Sequence, residues 1–338
     1  MNEMPVFDFI CNDYHHFNAG ALKRALFDYH KHISAGGKMF WSLAGALSTA
    51  RLGIVLAPAI RAGLIHGISV TGANLEESLL HMLYGDSYQY DWNYRYLSLQ
   101  DDATYLEKDF SRVTDTLVPA QVFDKLGALL KESWLNAQQQ GERHFWHEYF
   151  YELALRMAQK PNYAARAKEC WLLAAAQQQL PILVGGHADS SLGNFFTSEC
   201  YLKELTPGII KSDIEYMMEF YDTYQHQLAP GSGCGYMQIG GGIAGDFAMC
   251  VVPALRHDLN LPAPHWAYYC QVSDCTTSFG SYSGAGANEK ITWDKINANT
   301  PAHLIESDAS LVVPLLLEAL LEAKQNPHAA AQRIAQFI

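Results

Sequence analysis

Apolar residues recur at helical spacing from Asn18 to Ile33, where Leu22, Ala25, Leu26 and Tyr29 share one side and Gly36-Gly37 stops the run. Thr49 to Ala62 has the same spacing and ends at Gly63, after which Ile65 to Thr71 is an apolar run of strand length. That run empties into the small turn Thr71-Gly72-Ala73-Asn74, and Leu75 to Leu80 opens a helix. Strand, small turn and helix start form the unit from which parallel sheets are built. It recurs at Leu180 to Val184, which runs into Gly185 to Asn194, and at Tyr236 to Ile239, which runs into Gly240 to Gly245 before an apolar helix over Phe247 to Leu255. Trp266 to Val272 has strand composition and ends at Ser273-Asp274. Val122 to Gln138, Phe145 to Gln159 and Ile209 to Gln225 carry helical patterns. Residues 85–109, rich in tyrosine and aspartate with no sustained period, read as an irregular excursion. The alternation predicts an α/β fold with a mostly parallel central sheet flanked by helices. With no linker, low-complexity tract or repeat, it predicts one domain over residues 1–338.

Composition sharpens this picture. Of 338 residues, 49% are hydrophobic and 17% charged, so the chain can offset its ordering entropy and fold. The net charge of −12 and the lack of a basic cluster argue against nucleic acid and favour small cationic partners. Seven irregularly spaced cysteines are an odd number and read as reduced thiols. The first 30 residues hold no signal-like apolar run, and the apolar stretches at 52–70 and 311–321 are broken by charge or proline, so no membrane span and a cytoplasmic setting are expected. His144/His147 and Cys270/Cys275 lack a second pair at metal-site spacing, so no metal is expected. Neither a Gly-x-Ser-x-Gly elbow nor a P-loop occurs.

Gly240-x-Gly242-x-x-Gly245 follows a predicted strand and opens a predicted helix, the setting in which the pattern reads as a dinucleotide turn. Asp274, at the end of the next strand, is placed to bond a ribose hydroxyl; a purely steric glycine turn is the alternative. Glu76 and Glu77 follow a second such turn, where first-turn capping is the simpler account. His187 and Asp189 follow a third. Three loops at one sheet edge would line one crevice. From Ser278, a glycine- and serine-rich stretch leads to Glu289, Lys290, Trp293 and Lys295. A lysine desolvated beside an indole becomes an imine-forming nucleophile, although most lysines are simply solvated.

Six segments resemble the deoxyhypusine synthase family in order and spacing: Val70 to Glu77, His187 to Asn194, Ile239 to Ile243, Ser281 to Ala285, Thr292 to Ile296 and Ser307 to Pro314. The likeness covers roughly residues 17–322 and is most specific in the last hundred residues. The resemblance implies a Rossmann-like NAD-binding fold and a homotetramer of tight dimers, with active sites at a dimer interface. It also implies transfer of a 4-aminobutyl group from spermidine, through an imine on an enzyme lysine, to an acceptor amine. That acceptor is a lysine of an initiation factor in deoxyhypusine synthases and putrescine in homospermidine synthases. Position by position, the resemblance makes Lys295 the imine-forming lysine and Trp293 the wall along the alkyl chain. Glu76, Glu77 and Glu289 would hold ammonium groups or cofactor hydroxyls. Thr71, Gly72, Asp189, Gly241, Gly242, Asp274, Asp308 and Ala309 fall at NAD contacts.

The chain also departs from the family. Gly245-Asp246-Phe247 stands where the family has Lys-His-His, which removes a histidine and leaves Asp246 as the replacement base. Asn194 and Tyr282 replace aspartates that would hold a polycation, and the segment ahead of the likeness is short. These changes bear on the acceptor more than on fold or cofactor. Three activities follow as expectations: an NAD-dependent aminobutyl transferase using Lys295, acting on a protein lysine or a small polyamine; a non-catalytic NAD- or polyamine-binding relative; and an ordinary dehydrogenase.

Overall fold

The computed structural model describes residues 4–277 and 280–337. Among the described residues, nine strands form two sheets. Six of them, β1 (Lys38–Leu43), β2 (Gly67–Val70), β6 (Ile182–Leu183), β7 (Cys234–Ile239), β8 (Tyr268–Ser273) and β9 (Ala302–Glu306), make one parallel sheet in the order β6-β2-β1-β7-β8-β9. The chain builds outward from β1 to β2 and β6, then returns to the other side of β1 and builds outward again. Counting only these six strands, this is the 3-2-1-4-5-6 order of the Rossmann fold, with its switch point between β1 and β7. In register, Leu43 lies opposite Ile239 at that switch.

Helices cover both faces, so the central strands are buried on both sides and lack alternation. Every residue of β7 and β8 is buried. Their polar residues are paired: the Tyr269 hydroxyl lies 3.2 Å from Gln238 Oε1 and 2.9 Å from Gln271 Oε1, and the Gln238 amide donates to the Gly240 carbonyl at 2.9 Å. The apolar core continues through Trp41, Trp134, Trp146, Trp171 and Trp266, all fully buried.

Residues 85–109 are more regular than expected. They contain β3 (Gln89–Tyr90) and the helix Leu99–Glu107, which starts with a Ser98/Asp101 capping box. β3 pairs with β5 (Thr116–Pro119), which pairs with β4 (Phe110–Val113), in a small antiparallel sheet. The tyrosines and aspartates hid this because much of it is exposed, so it carries no apolar period. The expected strand at residues 180–184 shrinks to two residues, and the helix expected from Ile209 starts at Asp213. Among the described residues no helix is long and apolar enough to cross a membrane, and all seven cysteines are unpaired.

Candidate active site

In a parallel sheet the loops at the carboxyl ends of the strands share one edge. The turns after β2, β6 and β7 meet there. A side chain at Gly72 would press on Ser190, and one at Gly185 would press on Ile243 and Phe247. Asn74, fully buried, ties the loop after β1 to this edge: its side-chain amide donates to the carbonyls of Leu43, Ala44 and Gly45, and its side-chain oxygen accepts from Ser48 N at 2.8 Å.

The turn after β7 is built by glycines with separate duties. Gly240 has φ +73° and turns the chain at the switch point. Gly241 is buried with Ser283 so close that a Cβ would lie 2.2 Å from its hydroxyl. Gly242 has φ +57°, is exposed, and has open space where a side chain would be. It begins the helix Gly242–Met249, whose first-turn amides have no intrahelical acceptor. Gly245 lets the ring of Tyr282 pack against the helix, since a Cβ there would lie 2.8 Å from the ring.

One turn into that helix, Asp246 accepts a hydrogen bond from Lys295 Nζ at 2.6 Å. Only 6% of the lysine side chain is exposed, against 45% for Asp246, so the carboxylate is the lysine's link toward water. The lysine nitrogen lies 5.3 Å from the centre of the Tyr282 ring and 5.9 Å from that of Trp293. These groups line a cavity of about 430 Å³ together with Glu289, Lys290 and Cys250. A second space of about 460 Å³, lined by Gly242, Ile243, Phe247 and Met217, shares Asp246, Cys250 and Tyr282 with it. The two form one crevice running from the glycine turn to Lys295. Burial, and then the neighbouring Lys295 charge, lower the Lys290 ammonium to about 8. The Cys250 thiol, whose sulfur is 3.4 Å from Asp246 Oδ1, is pushed up to about 11 by burial.

The loop carrying Lys295 is pinned from behind. Asp294, at φ +55°, accepts from Arg256 Nε at 2.6 Å and from His265 Nε2 at 2.7 Å, and lies 2.9 Å from His257 Nε2. Burial alone would raise this carboxyl, but the bonds from His265 and Arg256 outweigh it and hold the group at about 2. The Lys295 backbone is fixed at both ends, its N–H donating to Lys290 O at 3.0 Å and its carbonyl accepting from Trp266 N at 3.1 Å.

Of the residues singled out from sequence, Lys295, Asp246, Glu289, Trp293 and Tyr282 therefore come together. Trp293 remains 67% exposed at the cavity mouth. Glu76, Glu77 and Asn194 are not among the lining residues. Glu76 Oε1 and Oε2 accept from Ser191 N and Leu192 N at 3.0 and 2.8 Å, so this buried carboxylate caps the Ser191–Tyr201 helix. Glu77 accepts from the Tyr88 hydroxyl at 3.0 Å, and burial raises both carboxyls to about 7. Asn194 is exposed on the outer helix. Thr71 caps the Gly72–Tyr84 helix beside buried Gly72. Asp189, Asp274 and Asp308 are exposed at the carboxyl ends of β6, β8 and β9, and Asp308 caps the helix that starts at Ala309 by accepting from Ser310 N at 2.7 Å. The glycine- and serine-rich stretch is described from Gly280 onward; Ser278 and Phe279 lie outside the described residues. Sequence reasoning missed Lys290, Cys250 and Asn74 as site residues. The helical offset from Asp246 to Cys250 was the one local signal for the cysteine.

The family model for deoxyhypusine synthase matches residues 11–320. A deoxyhypusine synthase-like protein of Cyanothece sp. is 25% identical over 327 residues, covering 95% of this chain and 80% of its own length. A protein of Archaeoglobus fulgidus named "Probable deoxyhypusine synthase 1" is 23% identical over 308 residues, covering 90% of each chain. A crystal structure from Entamoeba histolytica, named "putative deoxyhypusine synthase", superposes with a TM-score of 0.57 at 12% identity over 93% of this chain and 92% of that one, a likeness of fold.

Proposed function

Because the chain belongs to the deoxyhypusine synthase family, we propose that it is an NAD-dependent transferase that carries a 4-aminobutyl group from an amine such as spermidine, as an imine on Lys295, to an acceptor amine. The observation that carries this reading is the buried Lys295 bonded to half-exposed Asp246, in a crevice that continues to an open glycine turn at the Rossmann switch point. NAD, when bound, supplies the hydride acceptor for oxidising the amine and returns the hydride at the end. The cradle at Gly242, where among the described residues nothing lies within 4 Å of a built side-chain carbon and the first-turn helix amides have no intrahelical acceptor, fits a pyrophosphate. The exposed carboxylates of Asp274, Asp308 and Asp189, at the same sheet edge, are suited to ribose hydroxyls.

Lys295 acts as nucleophile once its proton passes along the 2.6 Å bond to Asp246. The free lone pair then displaces the departing amine from the oxidised carbon, forming a carbon–nitrogen double bond to the enzyme. Asp246, half-exposed, is the group that can return the proton to the leaving nitrogen. Trp293 offers an apolar surface for a methylene chain, and its exposure suits a site completed by a second subunit in a homotetramer. Incubation with NAD and spermidine followed by borohydride is expected to leave an aminobutyl group on Lys295, read by mass spectrometry. Lys295→Ala should abolish the adduct while NAD binding persists. An adduct on another residue would overturn the assignment of Lys295, and none with any amine would return the chain to the non-catalytic binding reading.

A further inference from the structure

Beside β6, the outermost strand of the six-stranded sheet, lies a cavity of about 390 Å³ that shares no lining residue with the crevice. Phe145, Tyr151, Leu155, Leu180, Ile182 and Phe220 give it apolar and aromatic walls, contributed by β6 and by the helices Trp146–Ala158 and Asp213–Thr223 with the residues next to them. His147 is also in the lining, although only 9% of it is exposed. Its ring lies nearly parallel to that of Phe145 at 6.1 Å and perpendicular to that of Tyr151 at 5.1 Å.

The bonds around His147 decide which ring nitrogen carries the hydrogen. The hydroxyl of Tyr216, a residue 1% exposed, accepts from the His147 backbone N–H at 3.2 Å and lies 2.8 Å from Nδ1. A buried hydroxyl needs an acceptor for its own hydrogen, and among the described residues Nδ1 is the one within reach. Nδ1 therefore accepts, and Nε2 carries the N–H. Burial, and then the Lys211 charge, lower the His147 imidazole to about 3, so the ring is neutral at physiological pH and keeps this tautomer. Nε2, on the other side of the ring, makes no hydrogen bond among the described residues. Unlike Trp134 Nε1 and Trp146 Nε1 it is not sealed off, so its open side is the cavity. A fixed donor faces an apolar space and lacks an acceptor.

The surroundings of that donor define what would meet it. Aromatic walls favour a flat ring. Glu148 and Glu219 stand in the same lining, and their charge opposes a carboxylate or phosphate as the acceptor, whereas an amide carbonyl is not opposed. We propose that this cavity is a second ligand site, which takes a flat, uncharged aromatic molecule whose amide or ring carbonyl accepts from His147 Nε2. A ligand there needs neither Lys295 nor NAD, so the site stands whether or not the chain is a transferase.

Ligand-observed NMR titration of the full chain in excess NAD, with benzamide and benzoate as probes, tests this; the NAD competes for any nicotinamide position that benzamide could enter. The wild type should bind benzamide at least about tenfold more tightly than benzoate. His147→Phe, which keeps an aromatic ring without the donor, should weaken benzamide binding at least about tenfold. Leu155→Trp enlarges a residue that is 40% exposed in the cavity wall, so it should block the space without touching the core and weaken benzamide as much. Should His147→Phe fail to fold, Leu155→Trp and the amide-to-acid ratio decide. No benzamide binding to the wild type, benzoate bound as well as benzamide, or wild-type affinity in either variant would overturn the assignment.

Discussion

Replacing Asp294 by alanine and, separately, by glycine asks how firmly the lysine loop is held and by what. The carboxylate is 28% exposed and bonded to Arg256 and His265 at 2.6 and 2.7 Å. Those partners, acting against its burial, hold it at about 2 instead of the ordinary 3.8. At 1.36 kcal/mol per pH unit this is about 2 kcal/mol in favour of the ionised form. Because the folded value lies below the unfolded one, this contribution is present above about pH 4 and is lost as pH falls toward 2. The backbone adds a separate amount. With φ +55°, alanine at this position costs about 1 to 2 kcal/mol that glycine avoids. Urea denaturation at pH 7 should therefore show Asp294→Ala destabilised by about 2 to 3 kcal/mol and Asp294→Gly by about 1 kcal/mol less than alanine. Acid titration of stability should show the wild type losing about 2 kcal/mol more than either variant between pH 4 and 2. An alanine variant within about 0.5 kcal/mol of wild type would refute the charge argument, and equal losses for alanine and glycine would refute the backbone argument.

Glu77 should respond to pH in the opposite direction. Burial raises it to about 7, so its contribution is greatest below the free value of 4.5 and declines as pH climbs through 7. Glu77→Gln keeps an acceptor for the Tyr88 hydroxyl, so it should flatten that slope and raise the urea midpoint at pH 8; a lower midpoint would mean the charge itself is needed. Gly242→Val places a branched side chain in the open cradle at φ +57°. NADH fluorescence titration should show binding at least about tenfold weaker, and unchanged binding would move the cofactor elsewhere.

Much of the fold was legible because parallel units announce themselves: an apolar run, a glycine turn and a helix start. The ends of β2, β7 and β8 were read this way. β1 was not, because Met39 to Leu43 is buried throughout and has no alternation to mark it as strand. β9 was missed for the reverse reason, since only Ile305 of its five residues is buried. Of the proposed site residues, Lys295 and Trp293 are marked in the sequence by a segment resembling a known family, and Asp246 by its departure from that family. The sequence carries no local sign of what Glu76 bonds to within the chain, because its partners, the amides of Ser191 and Leu192, lie 115 and 116 residues away. Lys290 was passed over because a lysine on a short helix beside a glycine-rich stretch looks solvated. Only the packing of Tyr282 over Gly245 creates the enclosure it occupies.

The place of β1 in the sheet also sets a schedule for biosynthesis. Its partner β2 follows within about thirty residues, but β7, which covers its other side, emerges roughly two hundred residues later. At common translation speeds that is about 10 to 40 s during which Phe40, Trp41 and Leu43 offer an unpaired, apolar strand edge on the ribosome. Chaperone capture or aggregation of the nascent chain should therefore concentrate on fragments ending before Cys234, and fall once the Cys234–Ile239 strand has been released from the exit tunnel.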